Sequence, residues 1–236
     1  AGLVLSLSLC LSGCSVGLKD AYSLKERIPS IEASFAAEEE AAKGFASDLC
    51  VISDEGSFDP EDVTSQAGAL FDLTDREVLY SKDAFEKLYP ASITKVMTAL
   101  IAIKYDNLED QVTVTEDAVI TETGATLCGI QPGDTLTLEQ LLYGLMLPSG
   151  NDAGAAIAIH MSGSIDAFAD KMNEEAKRLG ATDTHFMNPH GLHDEDHYTT
   201  AYDLYLIFNE ALKYPEVEMD HSWLFSKLPD GTPVRP

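Results

Sequence analysis

The sequence predicts a mixed α/β fold of the α+β kind, in which an antiparallel sheet opens the domain and helices follow. Two observations predict it. Between residues 67 and 81, two short runs, AGALFDL and EVLYS, flank Thr74-Asp75-Arg76 in the pattern of a hairpin. Beyond residue 90, apolar positions recur at helical spacing, with helix start and stop signals at their ends.

The first element is DLCVIS, residues 48–53, which reads as a strand, with FDPEDVTSQ as a loop before the hairpin. A helix begins near Ser92, and QVTVT after it reads as a short strand. Thr137-Leu-Glu-Gln140 is a capping box that opens a helix running to Leu147, where Pro148 stops it. Another helix is expected from about Asp152 to Met161. Ile165, Phe168, Ala169, Met172, Ala176 and Leu179 share one face of the next, with charges opposite. Thr200 and Asp203 cap a last helix over LYLIFNEALK, and no internal repeat is visible.

Composition limits the function. The 236 residues carry 40 acidic and 15 basic side chains, a net charge of −25. That excess argues against a nucleic-acid partner, which needs a basic surface, and against adhesion to anionic lipid by charge. With 45% hydrophobic and 23% charged residues the chain is globular.

The first residues, AGLVLSLSLCLSGCS, are an apolar run of the length of a signal-peptide core, too short for a finished membrane span. No initiating Met and no basic segment precede it, which reads as a chain clipped at its front. Leu11-Ser12-Gly13-Cys14 resembles the lipobox of bacterial lipoproteins, in which Cys14 becomes the lipidated first residue. An ordinary cleaved signal, or an anchor that merely contains a cysteine, is the alternative. All place the mature protein outside the cytoplasm, and the lipobox anchors it to the cell membrane. The expected organisation is therefore a signal segment at 1–14, a tether with scattered charges at 15–47 and a catalytic domain from 48 to 236. Cys50 and Cys128 remain for the domain, either paired or as buried thiols.

In the segment YPASITKVMTALIAIK, residues 89–104, Lys95 is the only charged residue between Leu88 and Ile103, set in an apolar helix. Ser92 and Lys95, three apart, share a face. A free lysine, with a pKa of about 10.4, is a poor base at neutral pH, but apolar neighbours and a helix N-terminus both lower it. A neutral amine beside a serine activates it as a nucleophile. The structural alternative is a surface lysine whose stem lies along the helix. In LMLPSGNDAGAA, Ser149 and Asn151 stand two apart after Pro148, able to relay a proton and hold a substrate amide, or simply to form a turn.

Together, Ser92-Ile-Thr-Lys95 and Ser149-Gly-Asn151 resemble the Ser-x-x-Lys and Ser-x-Asn motifs of penicillin-binding proteins and serine β-lactamases. The segments ALFDLTDREVLYSKDAFEKLYPASITKVMTAL, GIQPGDTLTLEQLLYGLMLPSGNDA and NPHGLHDEDHYTTAYDL are similar to the low-molecular-mass D-alanyl-D-alanine carboxypeptidases, over about residues 65–215. The resemblance implies a β-lactamase/transpeptidase-like fold and no cofactor. It implies Ser92 as the nucleophile, Lys95 as its base, Ser149 as a proton relay and Asn151 as a substrate-binding amide. Its substrate would be a peptidoglycan stem peptide, and β-lactams would trap Ser92. The family's third motif, Lys-Thr-Gly, does not occur in these residues. That reads as a fragment lacking its later strands, and the fragment is expected to be inactive.

Class A β-lactamases want Ser-Asp-Asn and a later Glu motif, which are missing. A class C Tyr-x-Asn is matched only by Tyr105-Asp-Asn107, ten residues after Lys95 and too near to serve. A non-catalytic penicillin-binding lipoprotein is the alternative function. His190, His193 and His197, with Asp194, Glu195 and Asp196, suggest zinc by residue type, but His-Glu-x-x-His is lacking and Pro189 and Gly191 indicate a loop, so no metal is expected.

Overall fold

Residues 49–52 and 63–214 are described in the structure, a computed structural model. The signal segment, Cys14 and the tether lie outside the described residues. Every strand and helix among the described residues lies beyond Cys50.

The hairpin forms where expected. Strand β1, Gly68–Asp72, pairs antiparallel with β2, Glu77–Lys82, with a register slip between Leu70 and Phe71. Asp72 Oδ1 closes the turn by accepting from the Thr74 and Asp75 N–H groups at 2.8 and 3.1 Å. The strand expected over 48–53 is not formed at residues 49–52. A β-prone run becomes a strand only where a neighbouring strand takes its backbone groups. A second small sheet pairs β3, Gln111–Thr113, with β4, Thr135–Thr137. Three residues are too few for periodicity to reveal β4.

Five helices match the expected pattern. They are α1, Lys95–Tyr105, α2, Leu138–Met146, α3, Asn151–Ser162, α4, Ile165–Leu179, and α5, Ala201–Ala211. The Thr137–Gln140 capping box is made in both directions, and Thr200 Oγ1 accepts the Asp203 N–H at 3.0 Å. Gly163 and Gly180 end α3 and α4 in the left-handed region, at φ 80° and 84°, which glycine adopts without a Cβ penalty. Helix α3 is the centre. Residues 151–158 are all buried, and Ala153, Gly154, Ala155, Ala156 and Ala158 let α1, α2 and α4 approach closely. Leu100, Ile101, Leu138, Leu145, Ile157, Phe168 and Met172 complete the core. Among the described residues no helix is long and apolar enough to cross a membrane.

A charged network ties α1, α4 and α5 together. Lys104 Nζ reaches Glu175 at 2.9 Å and Glu210 at 2.8 Å, and Arg178 reaches Glu175 at 2.6 Å. Burial alone would raise the Glu175 and Glu210 carboxyls. The hydrogen bonds from Arg178, Tyr105 and Lys104 to Glu175, and from Lys104 and Lys213 to Glu210, outweigh it and hold both at about 2. In the unfolded chain they bind protons near 4.5. Stability is therefore fully present above about pH 4.5 and lost as pH falls toward 2, by on the order of a few kcal/mol for the linked network. Urea midpoints measured between pH 6 and 2.5 are expected to show this fall, and Glu175→Gln is expected to flatten it. A variant with the unaltered slope would show that the network does not govern acid stability.

Candidate active site

Pro90 leads into a 3-10 turn, Ala91–Thr94, which runs directly into α1. Ser92 therefore stands on the 3-10 turn rather than within the α-helix. In that geometry side chains three apart eclipse, which lines Ser92 up with Lys95 better than an α-helix would. Ser92 is exposed, whereas Lys95 is 2% exposed. Ala91, just before Ser92, has φ +48°. A non-glycine residue holds that conformation only when its surroundings impose it.

Lys95 Nζ lies 3.3 Å from Ser92 Oγ, 2.7 Å from Asn151 Oδ1 and 2.8 Å from the His190 carbonyl oxygen. Burial lowers its pKa to about 8, opposed by the charge of Asp152. A neutral amine has two N–H groups and one lone pair. The two short contacts go to obligate acceptors, Asn151 Oδ1 and the His190 carbonyl. The longer one leaves the lone pair for the Ser92 O–H. The arrangement can accept a proton from Ser92 while the other two partners keep the amine in place.

Asn151 comes from the first residue of α3. Its own N–H donates to the Thr126 carbonyl at 2.8 Å, and Gly150 N–H to Gly144 at 2.9 Å. A Cβ on Gly150 would come within 2.6 Å of the Gly144 oxygen, so the turn accepts only glycine there. Ser149 is half-buried at φ +61°, the second strained non-glycine residue beside this site. Among the described residues its hydroxyl makes no hydrogen bond to Ser92 or Lys95. The structure thus brings Ser92, Lys95 and Asn151 into contact and places Ser149 on the adjoining turn.

The histidine-rich loop supports the site through its backbone. Thr98 Oγ1 donates to the Pro189 carbonyl at 2.6 Å, one residue before the carbonyl that Lys95 uses. Gly191, at φ +84°, passes so close to the Ala91 carbonyl that any Cβ would overlap it. Leu88 and Thr199 exchange backbone hydrogen bonds at 2.8 and 3.0 Å, pinning the loop's end to the segment entering Pro90. His197 Nδ1 accepts the Met187 N–H at 3.0 Å, so its Nε2–H donates to Thr94 Oγ1 at 2.8 Å. Burial pushes both His190 and His197 down to about 4, so both rings are neutral at neutral pH. With both its nitrogens engaged, His197 is a structural residue, and His193 instead packs edge-on against Tyr89.

Among the described residues, side chains converge at metal-ligand spacing only at Asp106, Asp110 and His160. Asp106 caps the end of α1 and His160 lies in the last turn of α3, at the far ends of the two helices that begin in the site. Their scattered positions left no spacing pattern to read. Cys50 and Cys128 are not joined in a disulfide, and burial together with the Asp152 charge pushes the Cys128 thiol up to about 12.

The family model described as D-alanyl-D-alanine carboxypeptidase matches residues 54–222. The chain is 37% identical over 158 residues to D-alanyl-D-alanine carboxypeptidase DacF of Bacillus subtilis strain 168, covering 65% of this chain and 40% of that protein. It is 40% identical over 162 residues to D-alanyl-D-alanine carboxypeptidase DacB2 of Mycobacterium tuberculosis H37Rv, covering 68% of this chain and 55% of that one. The chain thus spans about half the length of these relatives, or less. The solved D-alanyl-D-alanine carboxypeptidase from Mycobacterium tuberculosis H37Rv superimposes with a TM-score of 0.63 at 36% identity, over 71% of this chain and 63% of that one. The hairpin, the helical region and this likeness agree with the β-lactamase/transpeptidase-like fold expected from the motifs. The chain belongs to the D-alanyl-D-alanine carboxypeptidase family.

Proposed function

We propose that the protein is a serine-type D-Ala-D-Ala carboxypeptidase that removes the terminal D-Ala from peptidoglycan stem peptides. The observation that carries this reading is the buried Lys95 amine, held by Asn151 and the His190 carbonyl, 3.3 Å from the exposed Ser92 hydroxyl. Ser92 Oγ attacks the penultimate D-Ala carbonyl as its proton passes to Lys95. The Ser92 N–H, in a first helical turn whose N–H groups lack helical acceptors, supplies half of the oxyanion hole. Ser149 relays the proton to the leaving D-Ala amine, which carries away the C–N bonding pair. Water then hydrolyses the acyl-enzyme. Asn151 binds the substrate amide through its Nδ2–H, since Oδ1 already serves Lys95. β-Lactams present the same amide geometry and stop at the acyl-enzyme.

The test is release of D-Ala from a stem pentapeptide by the protein expressed from its whole reading frame. The 236-residue chain by itself is expected to show no measurable turnover. It has no Lys-Thr-Gly to hold the terminal carboxylate, and loss of one oxyanion donor costs roughly 10²–10³ in rate. Release by the 236 residues at the rate of the whole reading frame would overturn that expectation. Stoichiometric penicillin binding without D-Ala release by the whole protein would favour the non-catalytic binding lipoprotein instead.

Export and anchoring through Cys14 are supported by the sequence motif alone. Incorporation of labelled palmitate, lost in Cys14→Ala, is the expected result. Incorporation that persists in the variant would remove Cys14 as the lipid site.

A further inference from the structure

Asp152 follows Asn151 on α3 and is 4% exposed. Its carboxylate accepts four backbone N–H groups. Cys128 and Ala153 donate to Oδ1 at 2.9 and 3.0 Å, and Gly129 and Ile130 to Oδ2 at 2.8 and 3.2 Å. Three of these donors belong to one loop, far away in sequence. The same loop receives the Asn151 N–H on the Thr126 carbonyl at 2.8 Å. It sits so tightly on the turn that a Cβ on Gly150 would lie 2.9 Å from both Cys128 Cβ and Asp152 Oδ1. Without the carboxylate, these N–H groups would be left without acceptors next to the Asn151 backbone.

The same carboxylate makes no hydrogen bond to the Lys95 amine, but it follows Asn151, whose Oδ1 lies 2.7 Å from that amine. Ser92 contacts that amine from the 3-10 turn, Asn151 from α3 and the His190 carbonyl from the loop. Of these, Ser92 and Asn151 are uncharged and His190 is neutral near pH 7. The Asp152 charge opposes the effect of burial on the ammonium.

We propose that Asp152 is a positioning residue: it clamps residues 128–130 onto the first turn of α3 and so fixes the Asn151 amide, with the Asp152 charge next to it in the chain, relative to Lys95. The proposal rests on the reading of Lys95 as the base for Ser92.

The test uses the protein from its whole reading frame, labelled with ¹³C at lysine Cε. The Lys95 resonance is identified by its loss in Lys95→Arg. In Asp152→Asn, the Lys95 titration midpoint is expected to fall below the unmodified value of about 8. The pH profile of penicillin acylation is expected to move down with it. Amide exchange at Cys128, Gly129 and Ile130 should speed by about tenfold or more, as expected for loss of a charged acceptor. Asp152→Glu keeps the charge but shifts it, so exchange should rise while the midpoint stays near that of the unmodified protein. A purely structural anchor would speed exchange and leave the midpoint in place. An unmoved or raised midpoint in Asp152→Asn overturns the positioning of this charge relative to Lys95, and unaltered exchange overturns the clamp. Where these variants do not fold, exchange in the unmodified protein decides. Slow exchange shared by residues 128–130 and Ala153 is expected, and open-loop rates at 128–130 overturn the clamp. Penicillin that fails to label Ser92 in the unmodified protein would sink the functional reading alone, because the Lys95 titration is read without turnover.

Discussion

Ser92→Ala is expected to abolish covalent labelling by penicillin in the protein expressed from its whole reading frame. Ser92 Oγ is the exposed hydroxyl that faces the Lys95 amine, and alanine has no atom to form the acyl bond. The substitution removes one oxygen from an exposed position, so the fold should be unaffected, with a thermal midpoint within a few degrees of the unmodified protein. The measurement is intact mass after incubation with benzylpenicillin. The unmodified protein should gain one penicillin mass and Ser92→Ala none. An adduct of the same stoichiometry in Ser92→Ala would assign the nucleophile elsewhere, with Ser149 as the next hydroxyl on the adjoining turn.

Lys95→Arg is expected to reduce acylation by roughly 10²–10⁴ at every pH, the usual contribution of a general base. With its pKa near 8, about a tenth of Lys95 is neutral at pH 7. For a free lysine the neutral fraction would be about 4 in 10⁴, so burial raises the population of active base by about two hundredfold. The unmodified rate should rise with pH through about 8 and then level, because the amine accepts a proton only above its pKa. Arginine keeps the positive charge but cannot give up its proton in this range, and its planar fork does not reproduce the three contacts of a small amine. An arginine variant that acylates near the unmodified rate, with the same pH profile, would show that only the charge at this position matters.

Much of the site was legible in the chain because its chemistry rests on side chains at fixed local spacings. Ser92 and Lys95 meet through the geometry of one turn, and Ser149 and Asn151 share the turn that Pro148 begins. The helices were legible for the same reason, since capping at Thr137 and Thr200 and the apolar face of 165–179 depend on neighbours three or four residues away. Other contributors had no letter to announce them. The His190 carbonyl is a backbone group that any residue would offer, and Asp152 read only as the start of a helix. The histidines read as ligand types, yet His197 is spent on holding Thr94 and Met187 in place.

By itself, the sequence determined the local elements, the family and the meeting of Ser92 with Lys95, because periodicity, capping and three-residue spacing are properties of the covalent chain. Tertiary structure decided the protonation chemistry and the strand content. Lys95 titrates near 8 because burial takes water from its amine, and the Asn151 and His190 groups packed against it come from distant parts of the chain. Residues 49–52 form no strand, although their side chains suit one, because a strand exists only in a pair. Desolvation and pairing both depend on what lies beside a residue in space, and no neighbour in sequence supplies that.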